Sequence, residues 1–419
     1  MNWKRGLTLG AMALVAGATV LVYARRPGSD FHVYVASGEA VLQGKDIYRA
    51  PLPAVNTGPP FFSLFCVVPA LLDRVSPVFS RGAWTLLNGV ALVLILHLSS
   101  RLIHGRRLPI ASAPVLLPLL LTLPYLLYHF QYHQVNLIVF ALTLGGMTLQ
   151  EEGKESLGGV LVGAGAALKV MPILFVPYLV YRRRWVAALS ALAAAVVLTL
   201  SPSLLMGWDR FSDSFRYWLT ILPHNPLWDA GDRNQSVLAM WDRYLGHGCI
   251  PLVSPGVVTL EMSGAPIVRM AWMATVVITG LFMLLAFRGP LRRGSMGAVA
   301  EWSALFVVSA IFGPVAWKHY LVVLILPNML LYQLWRSHPD GGTRRIAGAF
   351  LWGCFLLCLS STRNLLPGAW CMRVGMASNL TLAALTMGAG LLWLRRRLSS
   401  GERSEETPSP QPTPGAGPA

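Results

Sequence analysis

Asp30 stands just past the first apolar stretch of this chain and opens a short polar segment that ends in Gly44-Lys45-Asp46-Ile47-Tyr48. An ionised carboxylate beside the hydrocarbon edge of a membrane is costly unless it has a task or a partner. A carboxylate can also take a proton from a sugar hydroxyl. In a chain otherwise built of lipid-soluble stretches, this points to base chemistry on a substrate held at the membrane surface. The competing reading is an interfacial ion pair of Asp30 with Arg25 or Arg26.

Other residues could supply the rest of such chemistry. His133-Gln134-Val135-Asn136 opens an apolar stretch, and its amides suit either sugar hydroxyls or the polar groups of neighbouring helices. Lys169 lies inside an apolar stretch, where a cation is rare; it could meet a phosphate as a point charge or form a structural ion pair. Arg233-Asn234-Gln235-Ser236 brings donors suited to sugar or phosphate. Trp317-Lys318-His319 offers a ring to stack on a sugar and two groups able to reach a phosphate, or else an aromatic belt. Tyr34 and Tyr48 suit the headgroup region in either case.

The elements that position these residues are transmembrane helices. The chain has 419 residues, 54% of them hydrophobic and 12% charged, with mean hydropathy +0.55. Soluble domains carry about 25% charged residues, so this is a polytopic membrane protein. Net charge is +16, and 29 of the 34 basic residues are Arg. Many of these charges flank apolar stretches, where they set topology and meet anionic lipid, so nucleic acid is not the expected partner. The five cysteines show no metal spacing. There is no Walker loop, dinucleotide fingerprint, HExxH or nucleophile elbow, so a nucleotide-sugar enzyme of the soluble folds is unsupported. No motif names a cofactor, and a divalent cation is left open.

Stretches long enough to span are Gly6–Tyr23, Trp84–Ile103, Leu108–Tyr128, Gln134–Leu149, Trp185–Met206, Ile267–Phe287, Ala298–Ala316, His319–Trp335, Ile346–Ser361 and Val374–Leu394. Phe61–Leu72 is short, holds Pro69 and reads as interfacial. Leu157–Tyr181 is interrupted by Lys169 and Pro172. If that segment is a re-entrant hairpin, every dense basic cluster falls on one side of the membrane. A hairpin is permitted where protein or water surrounds its broken backbone. The expectation is therefore an all-α fold of about ten spans plus one hairpin in the cell membrane, with both termini cytoplasmic. Residues 1–397 form the membrane domain, and 398–419 read as a disordered tail. Two long outer loops, 24–83 and 207–266, hold 10 of the 18 acidic residues. Long polar loops on one face suggest a substrate site there.

Taken in order, these motifs resemble glycosyltransferase family 87, the polyprenol-phosphate-mannose-dependent mannosyltransferases of the membrane GT-C superfamily. The resemblance runs from about Asp30 to Pro327. It rests on Asp30 followed by Gly44-x-Asp46-x-Tyr48, Gln134-Val-Asn136, Gly159 through Lys169 and Pro172, Arg182–Trp185, Asn234-Gln235-Ser236 and Pro314 through Trp317-x-His319. Where the family pattern has Gly before Gln134, this chain has His133. The resemblance implies a GT-C-like bundle and transfer of a hexose, most often mannose, from a polyprenyl-phosphate carrier to a lipid-linked or glycan acceptor outside the membrane. Asp30 is then the general base of a single displacement that converts a β-linked donor to an α-glycoside. Lys169, Arg233, Lys318 and His319 are candidates for the leaving phosphate; Asp46, Tyr48, Gln134, Asn136, Asn234, Gln235 and Trp317 are further binding candidates.

Two other classes fit parts of the sequence. A flippase of lipid-linked sugars would carry functional charges at the midplane and shorter outer loops. A non-catalytic assembly protein would not need Asp30.

Overall fold

The structure is a computed structural model. It describes residues 17–26, 29–49, 56–222, 229–246, 266–289, 291–363 and 365–405. Among these residues every regular element is a helix. Local signals set the boundaries. Ser76 accepts the amide of Phe79 at 3.3 Å and Pro77 occupies the first turn, so a helix starts there. It runs Pro77–His104, about 42 Å at 1.5 Å per residue, and stops at Gly105, whose φ of +68° suits glycine. Asp340 starts Gly341–Leu359 by accepting the amides of Gly342 and Thr343 at 3.1 and 2.8 Å.

Five described helices are long and apolar enough to cross a membrane: Pro77–His104, Ala113–Gln131, Trp185–Met206, Pro266–Ala286 and Gly341–Leu359. A sixth candidate is the pair Gly368–Met376 and Asn379–Leu398, bent by 53°. The remaining expected stretches fall on shorter or broken helices. Gly6–Tyr23 is described only from residue 17. Asn136–Glu151 and Met296–Ile311 have 16 residues each and are mostly buried. His319–Trp335 begins as a tight 3-10 turn, Lys318–Leu324, before the helix Ile325–Ser337. The physical difference is the surroundings. Trp185–Met206 is only 17% buried and Pro266–Ala286 only 11%; Leu189, Val197, Ile278 and Leu281 point outward, toward where lipid would lie. Central helices are enclosed by protein, which permits short and irregular backbone.

The segment around Lys169 folds back on itself. The helix Glu155–Leu168 ends at Lys169, whose backbone is extended. Pro172 has no N–H to offer the carbonyl of Leu168, so the helix cannot continue. A 3-10 turn, Met171–Leu174, and the helix Phe175–Tyr181 form the return arm. The two ends meet: Arg184 Nη2 lies 2.7 Å from Glu151 Oε1. Glycines let the outgoing arm pack at backbone distance. A Cβ on Gly159 would collide with the carbonyl of Ala187, and one on Gly163 with that of Ala191; Gly146 and Gly158 face each other as closely.

Five basic clusters gather at this same end. Arg101 pairs with Glu152 at 2.7 Å and Arg293 with Glu155 at 3.6 Å. Arg184 and the amide of Gly294 share Glu151. Arg397 pairs with Asp340 at 3.5 Å, beside Arg344 and Arg345 on the helix that Asp340 caps. Lys4 and Arg5 lie outside the described residues.

At the opposite end the loops carry Ser29–Leu42, Pro60–Phe65, Val67–Val75, Trp208–Ile221 and Val237–Trp241. The first of these starts at Ser29, one residue before Asp30. The expected interfacial helix 61–72 splits in two at Cys66, where the backbone of Gly38 packs. Trp218 of Trp208–Ile221 is buried in a small cluster with Ala40, Val41, Ile47 and Tyr48. The last helix continues to Glu405, into the segment that composition assigns to a tail; 406–419 lie outside the described residues.

Candidate active site

A cavity of about 940 Å³ opens at the loop end and runs down the hairpin's return arm to Tyr181, Leu284 and Phe287. Asp30, Gln134, Lys169, Arg233, Trp317, Lys318 and His319 all line it. These seven candidates come from five separate stretches of sequence.

One short motif organises the carboxylate and the buried cation. Gln134 donates its side-chain N–H to the Asp30 carboxylate in a short hydrogen bond. Two residues on, Asn136 Oδ1 accepts from Lys169 Nζ at 2.6 Å, and its Nδ2 donates to the His319 carbonyl at 3.0 Å. Asp30 sits in the first turn of Ser29–Leu42, where the helix dipole favours a negative charge. Lys169 leaves the hairpin break with its ammonium 3.7 Å from the centre of the Tyr320 ring. His319 lies nearly parallel to Trp317, with ring centres 6.5 Å apart and planes 7° apart.

His133, where the resemblance implies glycine, adopts a backbone that glycine takes more readily. Its φ is +50°, in the left-handed region. The strain is held by three contacts: its carbonyl accepts from Trp84 Nε1 at 2.7 Å, its ring meets the Tyr23 carbonyl at 3.1 Å, and Phe31 lies 5.5 Å away. This turn fixes Gln134 opposite Asp30.

The loop Asp229–Ser236 forms another wall. Asn234 is fully buried: it donates to the carbonyls of Asp229 and Pro314 and accepts from the amides of Ser236 and Ala316. Gln235 bonds the carbonyls of Asp232 and Gly375, both at 2.8 Å. Arg243, 1% exposed, donates to the carbonyls of Ala230, Gly231 and Asn234 and to Ser378 Oγ.

Five of the sequence candidates therefore lie outside the cavity wall. Asn234 and Gln235 are saturated by main-chain partners and shape the loop that presents Asp232 and Arg233. Asn136 stands behind Lys169. Asp46 closes a turn by accepting the amides of Tyr48 and Arg49, both at 2.8 Å. The Tyr48 hydroxyl donates to the Gly58 carbonyl at 2.8 Å and ties the first loop together. Conversely, sequence reading gave no role to Tyr320 or Arg363, which line the cavity together with Asp232. Arg363 carried a signal, since it is a basic residue at the end away from the basic clusters. No group of three or more His, Cys, Asp or Glu among the described residues could hold a metal ion.

The family model of glycosyltransferase family 87 matches residues 56–314. Among relatives, a polyprenol-phosphate-mannose-dependent alpha-(1-2)-phosphatidylinositol pentamannoside mannosyltransferase of Mycobacterium tuberculosis is 27% identical over 365 residues, covering 81% of this chain and 74% of its own. A protein of the same name from Mycolicibacterium smegmatis is 28% identical, covering 79% of this chain and 74% of its own. Among solved structures, ArnT from Cupriavidus metallidurans bound to undecaprenyl phosphate aligns with 95% of this chain and 79% of its own, at 14% identity and a TM-score of 0.42. The family match spans well over half of the 419 residues, and this multi-pass helical chain belongs to glycosyltransferase family 87.

Proposed function

We propose that this chain transfers a hexose, with mannose the sugar named for its relatives, from a polyprenyl-phosphate carrier to a lipid-linked or glycan acceptor at the outer face of the cell membrane. The basic end then faces the cytoplasm, with both termini. One observation carries the reading: Gln134 and Asn136 bind Asp30 and Lys169 respectively, on the wall of one cavity with an apolar continuation.

The chemistry follows from the charges. Asp30 accepts the proton of the acceptor hydroxyl as that oxygen attacks the anomeric carbon. The bond from that carbon to the phosphate oxygen breaks on the opposite face, so configuration inverts. The leaving polyprenyl phosphate gains negative charge, and Lys169 answers it in a site where few waters screen the interaction. The Trp317–His319 ring pair offers a flat face to the sugar. Below Lys169, Ile173, Leu174, Pro177, Met283 and Phe287 give an apolar path for the prenyl chain.

Membranes from cells with and without the protein, supplied with radiolabelled polyprenyl-phosphate-mannose or GDP-mannose, test the proposal. Label should enter a glycan or glycolipid from the lipid donor only when the protein is present. Direct use of GDP-mannose, or movement of labelled lipid across vesicles without transfer, would overturn it.

A further inference from the structure

Asp30 and Gln134 meet across 104 residues of sequence, so a third group has to set the two elements that carry them. One side chain touches both. Trp84, on the helix Pro77–His104, is 3% exposed and lies outside the cavity wall. Its Nε1 donates to the carbonyl of His133, the residue before Gln134, at 2.7 Å. Its ring packs against Phe31 and Tyr34, with centres 6.0 and 5.5 Å apart. Both belong to the helix whose first turn holds Asp30, and Tyr34 stands one turn beyond Asp30 on the same face.

Trp84 is itself anchored. Its carbonyl accepts from Asn88 Nδ2 at 3.0 Å, and Asn88 Oδ1 meets His129 Nε2 at 2.9 Å. The His129 carbonyl in turn accepts the Gln134 amide at 3.0 Å. The circuit closes from Trp84 through the His133 turn to His129 and back through Asn88. Phe65 backs the indole at 5.8 Å, and such ring contacts fix orientation as well as distance. The turn needs this support. A non-glycine residue keeps a φ of +50° only where its surroundings over-determine it. Without the indole N–H, the His133 turn can relax and carry Gln134 away from Asp30.

We propose that Trp84 is the positioning residue of the Asp30–Gln134 pair: its indole holds the Gln134 turn with one edge and the Asp30 helix with its faces, and so sets the base for the transfer step without touching either substrate. This rests on the reading of Asp30 as the base. Plain core packing by Trp84 predicts a different result, a loss of stability that spares the rate of the folded enzyme and does not depend on His133 or Gln134.

Membranes from cells making each variant are titrated with radiolabelled polyprenyl-phosphate-mannose. The maximal transfer rate per molecule of enzyme and the KM for the donor are read. Trp84→Phe keeps an aromatic ring and removes the N–H. It should lower the maximal rate by roughly ten- to a hundredfold, the effect of a misplacement of about 1 Å at a reacting group, and leave the donor KM unchanged. His133→Gly added to Trp84→Phe should recover most of that loss, because glycine keeps the turn without the clamp. In a Gln134→Ala background, Trp84→Phe should cost less than about twofold more, because both changes act through one contact. Phe31→Leu keeps the indole bond and loosens the other side of the clamp. It should also lower the rate at unchanged donor KM, and it carries the test if Trp84→Phe does not accumulate. A wild-type rate in Trp84→Phe or Phe31→Leu, no recovery with His133→Gly, or full additivity with Gln134→Ala overturns the inference, while a collapsed rate in Asp30→Asn keeps the base reading intact. A wild-type rate in Asp30→Asn overturns the base reading and the inference with it.

Discussion

Glu301 is the most consequential charge outside the cavity. It is fully buried, and it bonds Arg182 through a short contact and a second one at 3.0 Å, Arg395 at 2.6 Å and the Tyr178 hydroxyl at 2.9 Å. Arg182 closes the hairpin's return arm, while Arg395 lies on the last helix. One carboxylate thus joins three elements, and Tyr178 on the cavity wall is tied to it. Glu301→Gln keeps the shape and removes the charge. It leaves two guanidiniums, 11% and 1% exposed at the side chain, without the anion they share. Breaking a buried ion pair by removing one partner costs about 3–5 kcal/mol. Each kcal/mol moves Tm by roughly 2–4 °C in a domain of about 150–250 residues. With a discount for this longer chain, the fall in detergent should still be about 5 °C at a fixed scan rate. The double variant Glu301→Gln/Arg395→Gln restores the wild-type net charge of the cluster. It should therefore melt above Glu301→Gln, with a coupling of about 1 kcal/mol or more. If Glu301→Gln melts within about 1 °C of wild type, or the double variant melts lower still, the charge argument is wrong.

Three further outcomes follow. Lys169→Met keeps the bulk of the side chain and loses a charge worth about 4 kcal/mol to an anion at 4 Å in an effective dielectric of 20; turnover with the lipid donor should drop by up to about a thousandfold, while wild-type kinetics would return Lys169 to a structural role. Gly163→Leu places a branched side chain against the Ala191 carbonyl and should abolish folded, monodisperse protein; normal yield and melting would refute the close packing of the hairpin. Cysteines introduced at Ser156 and Trp185 should label from the same side of the membrane, since Glu151 and Arg184 are paired; opposite accessibility would refute the re-entrant arrangement.

Much of this was legible in the residues because each rested on a local rule. Lys169 and Pro172 interrupt an apolar run, and the basic residues demand a common side, so the hairpin could be read before any coordinates. Asp30, Gln134 and Lys169 stood out because polar groups beside apolar stretches are costly. What escaped was the division of labour among polar residues. Asn234 and Gln235 have the same chemistry as ligand-binding amides, and only their main-chain partners reveal them as scaffold. Arg243 in the sequence is another loop arginine; in the fold it is buried beneath the loop it holds. Helix length was also misjudged at Met296–Ile311, expected over Ala298–Ala316, because apolar composition does not say whether lipid or protein surrounds a helix.

The central claim is that Asp30 takes the acceptor proton. Asp30→Asn keeps the size of the side chain and an oxygen to accept from Gln134, but removes the basicity. Asp46→Asn is the comparison, since Asp46 serves a turn through its hydrogen bonds to Tyr48 and Arg49. Turnover with radiolabelled polyprenyl-phosphate-mannose should fall by roughly two to four orders of magnitude in Asp30→Asn, with donor binding little changed and a milder effect in Asp46→Asn. Unchanged turnover in Asp30→Asn, or an equal collapse of both variants, would contradict the assignment.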